Sequence, residues 1–433
     1  MNTHHHGTNS HFGRLALTLV LLLLSGLFPA TSLAADGDGD GVDDLYDLCP
    51  FTPVGLSVDG AGCDAFCEVV DLTSNVFLRS RLLEVGVAIA ASFGSNIDAP
   101  AGWHPRGGGG STLGFVANPQ KNNWASYNGD FFLPGTPEEG FGIQVGATNY
   151  FNSTRMSLNQ IPGDFTGIRV QCEPQVCGLR GGGAVFWQGA VAGITVNHTY
   201  SVLNEGLFIL INVKLTNTTG SSQTVYYMRN VDPDNQQPLT GSYSTRNTIV
   251  SQGDGTATSQ ALVSAVTDAV PGASASYIAL ISSDPDARVT YGGFSNRDAS
   301  AVWNCSGFTC AVGSTQTNDI AISLAVKKTI PAGGIVEFSY AYTLDPVEVL
   351  TAVDCTVPFV CGDGVVEGTE ACDDLNTAPG DGCDGACKVE SGYSCLGEPS
   401  VCTDNDECIL GTDDCHANAT CTNLPGGFSC ACN

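Results

Sequence analysis

The sequence predicts a mainly β fold, in which a large antiparallel β-sandwich is flanked by small, disulfide-rich modules. Three observations support this prediction. Apolar and polar residues alternate along several segments in the middle of the chain, the 19 cysteines are concentrated toward its ends, and so are the acidic residues. Because the chain has 433 residues, it is long enough for two or three domains, one of them with a sizeable core.

An N-terminal export signal is predicted from an apolar run between Leu15 and Leu24 that follows Arg14. The run leads to the sequence SLAA at 32–35, which has the spacing that signal peptidase accepts, and it is shorter than the roughly 20 apolar residues of a membrane-spanning helix. We interpret residues 1–35 as a cleaved signal peptide, with an uncleaved anchor as the alternative. A secreted, extracellular or cell-surface location follows, without a membrane span after cleavage.

The chain is strongly acidic, and its charge is unevenly distributed. There are 44 Asp and Glu against 16 Lys and Arg, which gives a formal net charge of −28. Residues 36–71 contain ten carboxylates and no basic residue. After residue 360 there are fourteen carboxylates and one basic residue, Lys388. This balance excludes ordinary nucleic-acid binding. Dense like charge destabilises a compact state unless a cation offsets it, and outside the cell that cation is expected to be Ca²⁺.

The segment after the predicted cleavage site has the spacing of a twelve-residue calcium loop, with a glycine at position six. Together with Cys49, Pro53 and Cys63, residues 36–63 resemble a thrombospondin type 3 repeat of bacterial envelope proteins. The resemblance implies a helix-free calcium loop closed by a Cys49–Cys63 disulfide. The predicted ligands are Asp36, Asp38, Asp40, Val42 (through its carbonyl), Asp44 and Asp47. An acidic flexible linker is the alternative.

A second acidic module is predicted from six cysteines between residues 361 and 402, too close together to surround a large core. The cysteines are Cys361, Cys372, Cys383, Cys387, Cys395 and Cys402. Their pattern resembles the Myxococcus cysteine-rich repeat, although Leu375 stands where that family usually has Gly. We expect three disulfides in place of a core, in one of fifteen pairings. A zinc site is the competing interpretation, and oxidation outside the cell disfavours it.

The last 30 residues, from Asp404 to Asn433, resemble a calcium-binding EGF-like domain. The resemblance rests on the acidic residues that precede Cys408 and on the cysteine spacing that follows it. The resemblance implies the disulfides Cys408–Cys421 and Cys415–Cys430. It also implies four calcium ligands, which are Asp404, Asn405 (through its carbonyl), Glu407 and Asn423. Cys432 has no partner within the module, so we expect either a truncated chain, which we favour, or a disulfide to another chain.

The middle block reads as antiparallel strands, because apolar residues recur at every second position in segments such as 207–215, 320–326 and 336–344. A two-sheet sandwich buries such strands. Cysteine spacing predicts the pairs Cys172–Cys177 and Cys305–Cys310, and leaves Cys67 and Cys355 to join the two ends of the block.

Polar and aromatic side chains of the kind that a sugar site uses also occur in the middle block. They are Trp103, His104, Trp124, Tyr127, Asp130, Glu138, Glu139, His198, Arg229, Asp232 and Asp234. Paired carboxylates would serve glycoside hydrolysis, and the segment 207–234 loosely resembles the supersandwich of mutarotase-type enzymes. The simpler interpretation is that Asp232 to Asn235 form a turn and that Glu138 and Glu139 lie in a solvated loop. In the same interpretation, His104 and His198 are hydrogen-bonded structural residues, and Trp124 and Trp187 belong to the core.

We therefore predict a secreted or cell-surface, calcium-binding, multimodular protein of adhesion or interaction type, with Ca²⁺ as its structural ion and an unknown surface protein or glycan as its partner. The predicted modules are a signal peptide (1–35), a calcium-binding repeat (36–66), a β-sandwich (67–355), a cysteine-rich repeat (356–403) and a calcium-binding EGF-like domain (404–433). The alternative is a carbohydrate-active enzyme. No catalytic residue is assigned.

Overall fold

The computed structural model describes residues 68–432, except for short internal gaps at 73, 105–110, 122–123, 125–126, 128, 133–138, 155–156, 171–174, 177–178, 205, 236, 257–258, 270–274, 294–295, 357–360, 363, 365, 367–369, 386, 398 and 417. The predicted signal peptide and the predicted calcium loop at 36–47 lie outside the described residues. So do Glu138 and the cysteines Cys49, Cys63, Cys67, Cys172 and Cys177. These predictions stay predictions.

The described part of the chain is mainly β, as predicted, and its strand pairs are antiparallel. The strands are β1 (Glu68–Asp71), β2 (Asn75–Arg79), β3 (Leu83–Ala88), β4 (Phe115–Ala117), β5 (Glu139–Val145), β6 (Thr148–Ser153), β7 (Gly163–Val170), β8 (Gln175–Val176), β9 (Leu179–Val191), β10 (Ile194–Leu203), β11 (Phe208–Asn217), β12 (Gln223–Val231), β13 (Thr245–Ser251), β14 (Ala261–Thr267), β15 (Ser276–Ser282), β16 (Ala287–Gly292), β17 (Thr315–Asn318), β18 (Ala321–Ile330), β19 (Ile335–Thr343), β20 (Tyr393–Leu396), β21 (Val401–Asp404), β22 (Ala419–Leu424) and β23 (Gly427–Cys432).

The helices are short. They are α1 (Gln237–Thr240), α2 (Ala299–Trp303), α3 (Val349–Asp354) and α4 (Glu407–Leu410), with a 3-10 turn at Pro346–Glu348 before α3. Within the described ranges, no helix is long and apolar enough to cross a membrane.

Three sheets build the middle block. A ten-stranded sheet has the order β17-β13-β14-β15-β19-β11-β10-β9-β7, with β8 paired to β9. A five-stranded sheet has the order β16-β18-β12-β5-β6, and β1 to β4 form a sheet of four strands. The sequence predicted two sheets. The third was missed because its strands are short and almost wholly buried in β2 to β4, so they carry no clear polar–apolar alternation.

One apolar core receives side chains from all three sheets, among them Val85 from β3, Tyr227 from β12 and Ile211 from β11. The predicted alternation is clearest in β11, where apolar residues are buried and Lys214 is exposed. At one end of the ten-stranded sheet the opposite face is also covered. There α3 packs with Phe208 of β11 in a second apolar cluster, so that part of the sheet is buried on both faces.

Disulfides replace a core in the cysteine-rich segment. They join Cys361 to Cys387, Cys372 to Cys383 and Cys395 to Cys402, which is one of the fifteen pairings left open by the sequence. The side chain of Asp373 is buried and accepts hydrogen bonds from the backbone N–H groups of Gly362, Gly364 and Leu375. The disulfides and the Asp373 carboxylate thus hold together a segment that has few apolar side chains.

Three predicted disulfides are confirmed, namely Cys305–Cys310, Cys408–Cys421 and Cys415–Cys430. Cys355 is also disulfide-bonded. Its predicted partner, Cys67, is outside the described residues, so that pairing stays a prediction. The side chain of Cys432 is outside the described set as well.

Leu375 occupies a left-handed backbone conformation, with φ of 71°. Its N–H donates to the Asp373 carboxylate at 2.9 Å, and its side chain is 59% exposed. This turn therefore carries the steric cost of a side chain in the left-handed region.

We expect Leu375→Gly to stabilise this turn by about 1 kcal/mol, because relief of the left-handed strain exceeds the added backbone entropy of the unfolded chain. Hydrogen exchange of peptides covering 372–390 in the full oxidised chain measures the effect. Leu396→Gly is the matched control, since Leu396 is 80% exposed and lies in the regular strand β20. Faster exchange in Leu375→Gly than in the unaltered protein would contradict this expectation.

Candidate calcium site in the C-terminal module

The predicted C-terminal ligands lie on three elements of the module. Asp404 ends β21, Glu407 begins α4, and Asn423 lies in β22 opposite Phe428 of β23. Asp406 caps α4 by accepting a hydrogen bond from the N–H of Ile409 at 3.0 Å. The Cys408–Cys421 disulfide ties α4 to β22, so the chain places Glu407 and Asn423 on either side of a covalent link.

Asp404 is the centre of the polar contacts in this module. Its carboxylate accepts hydrogen bonds from Asn423 Nδ2 at 2.7 Å and from the N–H of Gly426 at 2.6 Å. The Asn405 side chain accepts from Ser394 Oγ at 2.8 Å. These contacts place Asp404 and Asn423 side by side, as the family resemblance implies.

Two oxygens of the module are buried without a hydrogen-bond donor in the described part of the chain. They are Oε2 of Glu407 and Oδ1 of Asn423. Burying such an oxygen without a partner costs free energy, typically about 1–3 kcal/mol. Calcium prefers hard carboxylate and amide oxygens, so these residues fit the ion that the sequence predicts. Asp404, Glu407 and Asn423 would hold it, with the carbonyl of Asn405, and the ion would neutralise the two carboxylates.

Within the described part of the middle block, the sugar-site candidates do not come together in one site. Glu139, His198 and Arg229 lie in the core between the sheets and are almost wholly buried. The expectation that Glu139 lies in a solvated loop is therefore wrong. It is the first residue of β5 and is 3% exposed. The local sequence around Glu139 is typical of a loop. Glu139 can nevertheless lie in the core because an arginine that is distant in sequence neutralises its charge.

That arginine is Arg229 of β12. Its Nη2 donates to Glu139 Oε2 at 2.9 Å, and its Nε contacts Glu139 Oε1. The Tyr342 hydroxyl and the N–H of Phe93 also donate to Glu139, at 2.8 and 2.5 Å. Arg229 Nη1 donates to the carbonyl of Ala91 at 3.1 Å. The carboxylate thus has an opposite charge and donors from two other segments around it.

Burial raises the pKa of Glu139, while the Arg229 charge and the hydrogen bonds of its neighbours oppose that shift. Burial and the same guanidinium hold the pKa of His198 well below its usual range. His198 is thus a neutral ring, with Nδ1 2.9 Å from the Tyr200 hydroxyl and Nε2 3.2 Å from the Tyr227 hydroxyl. This confirms the interpretation of His198 as a hydrogen-bonded structural residue.

The aromatic candidates form a separate cluster beside the four-stranded sheet. The rings of His104 and Trp124 are stacked, with centroids 4.5 Å apart, and Tyr127 lies 5.2 Å from His104. His104 Nδ1 is 2.9 Å from the buried carboxylate of Glu84. Trp103 and Trp187 are buried, whereas Trp124 is half-buried, so Trp124 is less a core residue than expected.

Asp130, Asp232 and Asp234 are buried. The Asp130 carboxylate accepts from the N–H groups of Gly114 and Phe115 at 2.6 and 3.0 Å. Asp232 and Asp234 follow β12 and lie in a turn, as expected, since the N–H of Asp234 donates to the Asp232 carbonyl at 3.1 Å. Both side chains are buried.

Comparison with known proteins gives one family match, the calcium-binding EGF domain, at residues 404–433. Protein kinase C-binding protein NELL1 of Homo sapiens is 47% identical over 47 residues, which are 11% of this chain and 6% of that protein. Pappalysin-1 of Mus musculus is 48% identical over 48 residues, covering 11% and 3% of the two chains. The chain therefore spans only a small fraction of these relatives. The match and the disulfides indicate an extracellular type of C-terminal module with calcium-binding character.

Outer membrane porin F of Pseudomonas aeruginosa is 44% identical over 59 residues, or 13% of this chain and 17% of that protein. Among solved structures, the GH36 alpha-galactosidase AgaA from Geobacillus stearothermophilus matches with a TM-score of 0.28 and 9% identity, over 64% of this chain and 40% of the other. A putative aldose 1-epimerase from Klebsiella pneumoniae matches with a TM-score of 0.25 and 10% identity, over 66% and 85%. We draw no conclusion from structural likenesses at these TM-scores.

We expect Glu139→Gln to lower the free energy of unfolding by about 3–5 kcal/mol, because it leaves the buried Arg229 charge uncompensated. Denaturant unfolding of the oxidised protein measures this. The control is Glu337→Gln, since Glu337 pairs with Lys214 at 2.8 Å on the surface, where the loss should stay below about 1 kcal/mol.

A double variant distinguishes charge burial from lost packing. Glu139→Leu with Arg229→Met removes both charges and should be less destabilising than Glu139→Gln alone. Equal losses in Glu139→Gln and in the surface control would show that the buried pair does not matter.

Proposed function

We propose that this protein is a secreted or cell-surface, calcium-binding, multimodular protein that acts in adhesion or interaction, with calcium in a structural role. The observation that carries the proposal is a pair of buried oxygens without donors in the described part of the chain, Glu407 Oε2 and Asn423 Oδ1, of which Asn423 contacts Asp404. It falls in the segment that matches the calcium-binding EGF domain. The other acidic segments near the two ends of the sequence would also be stabilised by a cation that offsets their like charges.

The position of the site explains what calcium would do. The N–H of Asn405 donates to the carbonyl of Gly392 at 2.7 Å. Gly392 and Gly426 approach so closely that a Cβ on Gly392 would lie 2.4 Å from the carbonyl carbon of Gly426. The predicted ligands therefore flank the junction between the cysteine-rich segment and the C-terminal module. An ion bound there stiffens the junction and fixes the direction in which one module presents the other.

The remaining parts of the proposal extend the same role. The thrombospondin type 3-like loop at 36–66 binds a further Ca²⁺ through Asp36, Asp38, Asp40, Val42, Asp44 and Asp47. The cysteine-rich repeat at 356–403 acts as a spacer. The β-sandwich at 67–355 carries the face that contacts a surface protein or glycan. Because small modules of this kind have little core, calcium binding is coupled to their folding.

The alternative, a carbohydrate-active enzyme, needs carboxylates that face a substrate. Glu139 is 3% exposed and its carboxylate is held by Arg229, Tyr342 and the Phe93 N–H. It is therefore not placed to act on a sugar. The burial of Glu139 favours a binding role over catalysis, and a glycan panel assayed with the full chain should show no turnover.

We expect Ca²⁺ to raise the melting temperature of the full oxidised chain and to protect the junction at 392–426 from protease, with half-saturation at about 10⁻⁴–10⁻³ M. Glu407→Gln should weaken binding at this site at least about tenfold, because a carboxylate ligand is replaced by a neutral amide. Calorimetric titration of the metal-free protein and limited proteolysis at the junction measure the two effects.

Asp414→Asn is the control for loss of one negative charge in the same module, since Asp414 is exposed and is not a predicted ligand. It should leave calcium protection of the junction unchanged. If chelator changes neither melting nor proteolysis of the unaltered protein, the proposed structural role of calcium is wrong.

A further inference from the structure

A second group of carboxylates converges in the middle block, at the end of β12. One carboxylate oxygen from each of Asp232, Asp234 and Asp319 lies within 4.8 Å of the other two. Two other clusters of acidic and cysteine residues exist in the described ranges, but each includes cysteines that are disulfide-bonded and so not available as thiolate ligands.

The sheet topology explains the convergence. β12 and β18 are antiparallel neighbours, and Val231, the last residue of β12, lies opposite Ile322. Residues that follow β12 therefore run beside residues that precede β18. Asp319 is in that position, directly after β17 and before β18. Because β17 belongs to the ten-stranded sheet and β18 to the five-stranded sheet, the cluster sits where the chain passes from one sheet to the other.

Asp234 is the residue that points to a ligand. It is fully buried, and neither of its carboxylate oxygens accepts a hydrogen bond from any residue that the structure describes. Asn235, the next residue, is also fully buried. Its Nδ2 donates to the carbonyl of Ala265 at 3.0 Å, whereas its Oδ1 has no donor within the described ranges. A buried carboxylate without donors is highly unfavourable unless it is neutralised.

The electrostatics of Asp234 agree with this geometry. Burial, together with the charges of Asp232 and Asp319, raises the pKa of Asp234 to about 8. The guanidinium that neutralises Glu139 is committed to that residue. A bound cation would offset the charge of three carboxylates that converge on one point.

We propose that Asp232, Asp234 and Asp319 form a calcium site that joins the two larger sheets of the middle block. Hard oxygen donors with several negative charges suit Ca²⁺, and the amide oxygen of Asn235 offers a further donor of the same kind in the same loop. The ion fixes the turn after β12 to the segment between β17 and β18. This site is separate from the C-terminal one and does not depend on it.

The test counts calcium ions bound to the full oxidised chain after chelator treatment, by equilibrium dialysis against Ca²⁺. Asp234→Asn and Asp319→Asn should each bind one ion fewer than the unaltered protein, or bind that ion at least tenfold more weakly. Asp268→Asn is the matched control, because Asp268 is 85% exposed and pairs only loosely with Arg246, at 3.7 Å. It should keep the full number of ions.

Hydrogen exchange gives a local readout in the same samples. Ca²⁺ should slow exchange in peptides covering 229–235 and 317–322 of the unaltered protein, and this protection should be absent in Asp319→Asn. Asp319 is the least buried member of the group, so this variant keeps the fold and the test remains decisive if Asp234→Asn fails to fold.

The outcomes are distinct from those of the C-terminal site. Glu407→Gln removes a different ion, and combining it with Asp319→Asn should remove both. The proposal is overturned if Asp319→Asn, correctly folded by circular dichroism, binds the same number of ions with the same affinity and shows the same protection as the unaltered protein. Protection by Mg²⁺ but not by Ca²⁺ would overturn the assignment to calcium.

Discussion

The buried ion pair between Arg229 and Glu139 is the interaction on which the arrangement of the middle block depends. Arg229 and Glu139 belong to the five-stranded sheet. Tyr342, which donates to Glu139, belongs to the ten-stranded sheet, and Phe93 and Ala91 follow the last residue of β3 in the four-stranded sheet. One carboxylate and one guanidinium thus contact the two larger sheets and the segment that follows β3. Such a pair adds little net stability compared with an apolar core, but it tolerates few alternative packings.

The two kinds of structure in this chain are stabilised in different ways. The middle block buries a large apolar core, to which Tyr227, Ile211 and Val85 contribute. The cysteine-rich segment has a cluster made of cystine sulfur, with Cys372, Cys383 and Cys387 fully buried. Its disulfides limit the unfolded chain and compensate for the missing apolar area. The C-terminal module has half-exposed strands and two disulfides, and we propose that the ion that its oxygens fit adds to its order.

The sequence predicted what is local and missed what depends on distant partners. Alternation in β11 and β19 was enough to predict strands, and short cysteine spacings predicted Cys305–Cys310. The burial of Glu139 was not predictable, because its partner Arg229 is 90 residues away. The convergence of Asp319 with Asp232 and Asp234 was missed for the same reason, since it arises from the pairing of β12 with β18. The C-terminal ligands were found by family pattern, and their role as ligands stays a prediction.

The source of the compensating charge decides which parts of the protein respond to calcium. Glu84 and Glu139 are fully or almost fully buried, and each has a cationic side chain of the chain itself, Arg79 at 2.9 Å and Arg229 at 2.9 Å. Those charges are present whenever the chain folds. Asp234 and Glu407 have buried oxygens without donors in the described part of the protein, and we propose that calcium from solution compensates their charge. Because an arginine cannot dissociate and an ion can, the centre of the sandwich should be insensitive to calcium. The sheet crossing near Asp234 and the junction near Glu407 should instead loosen when calcium is removed.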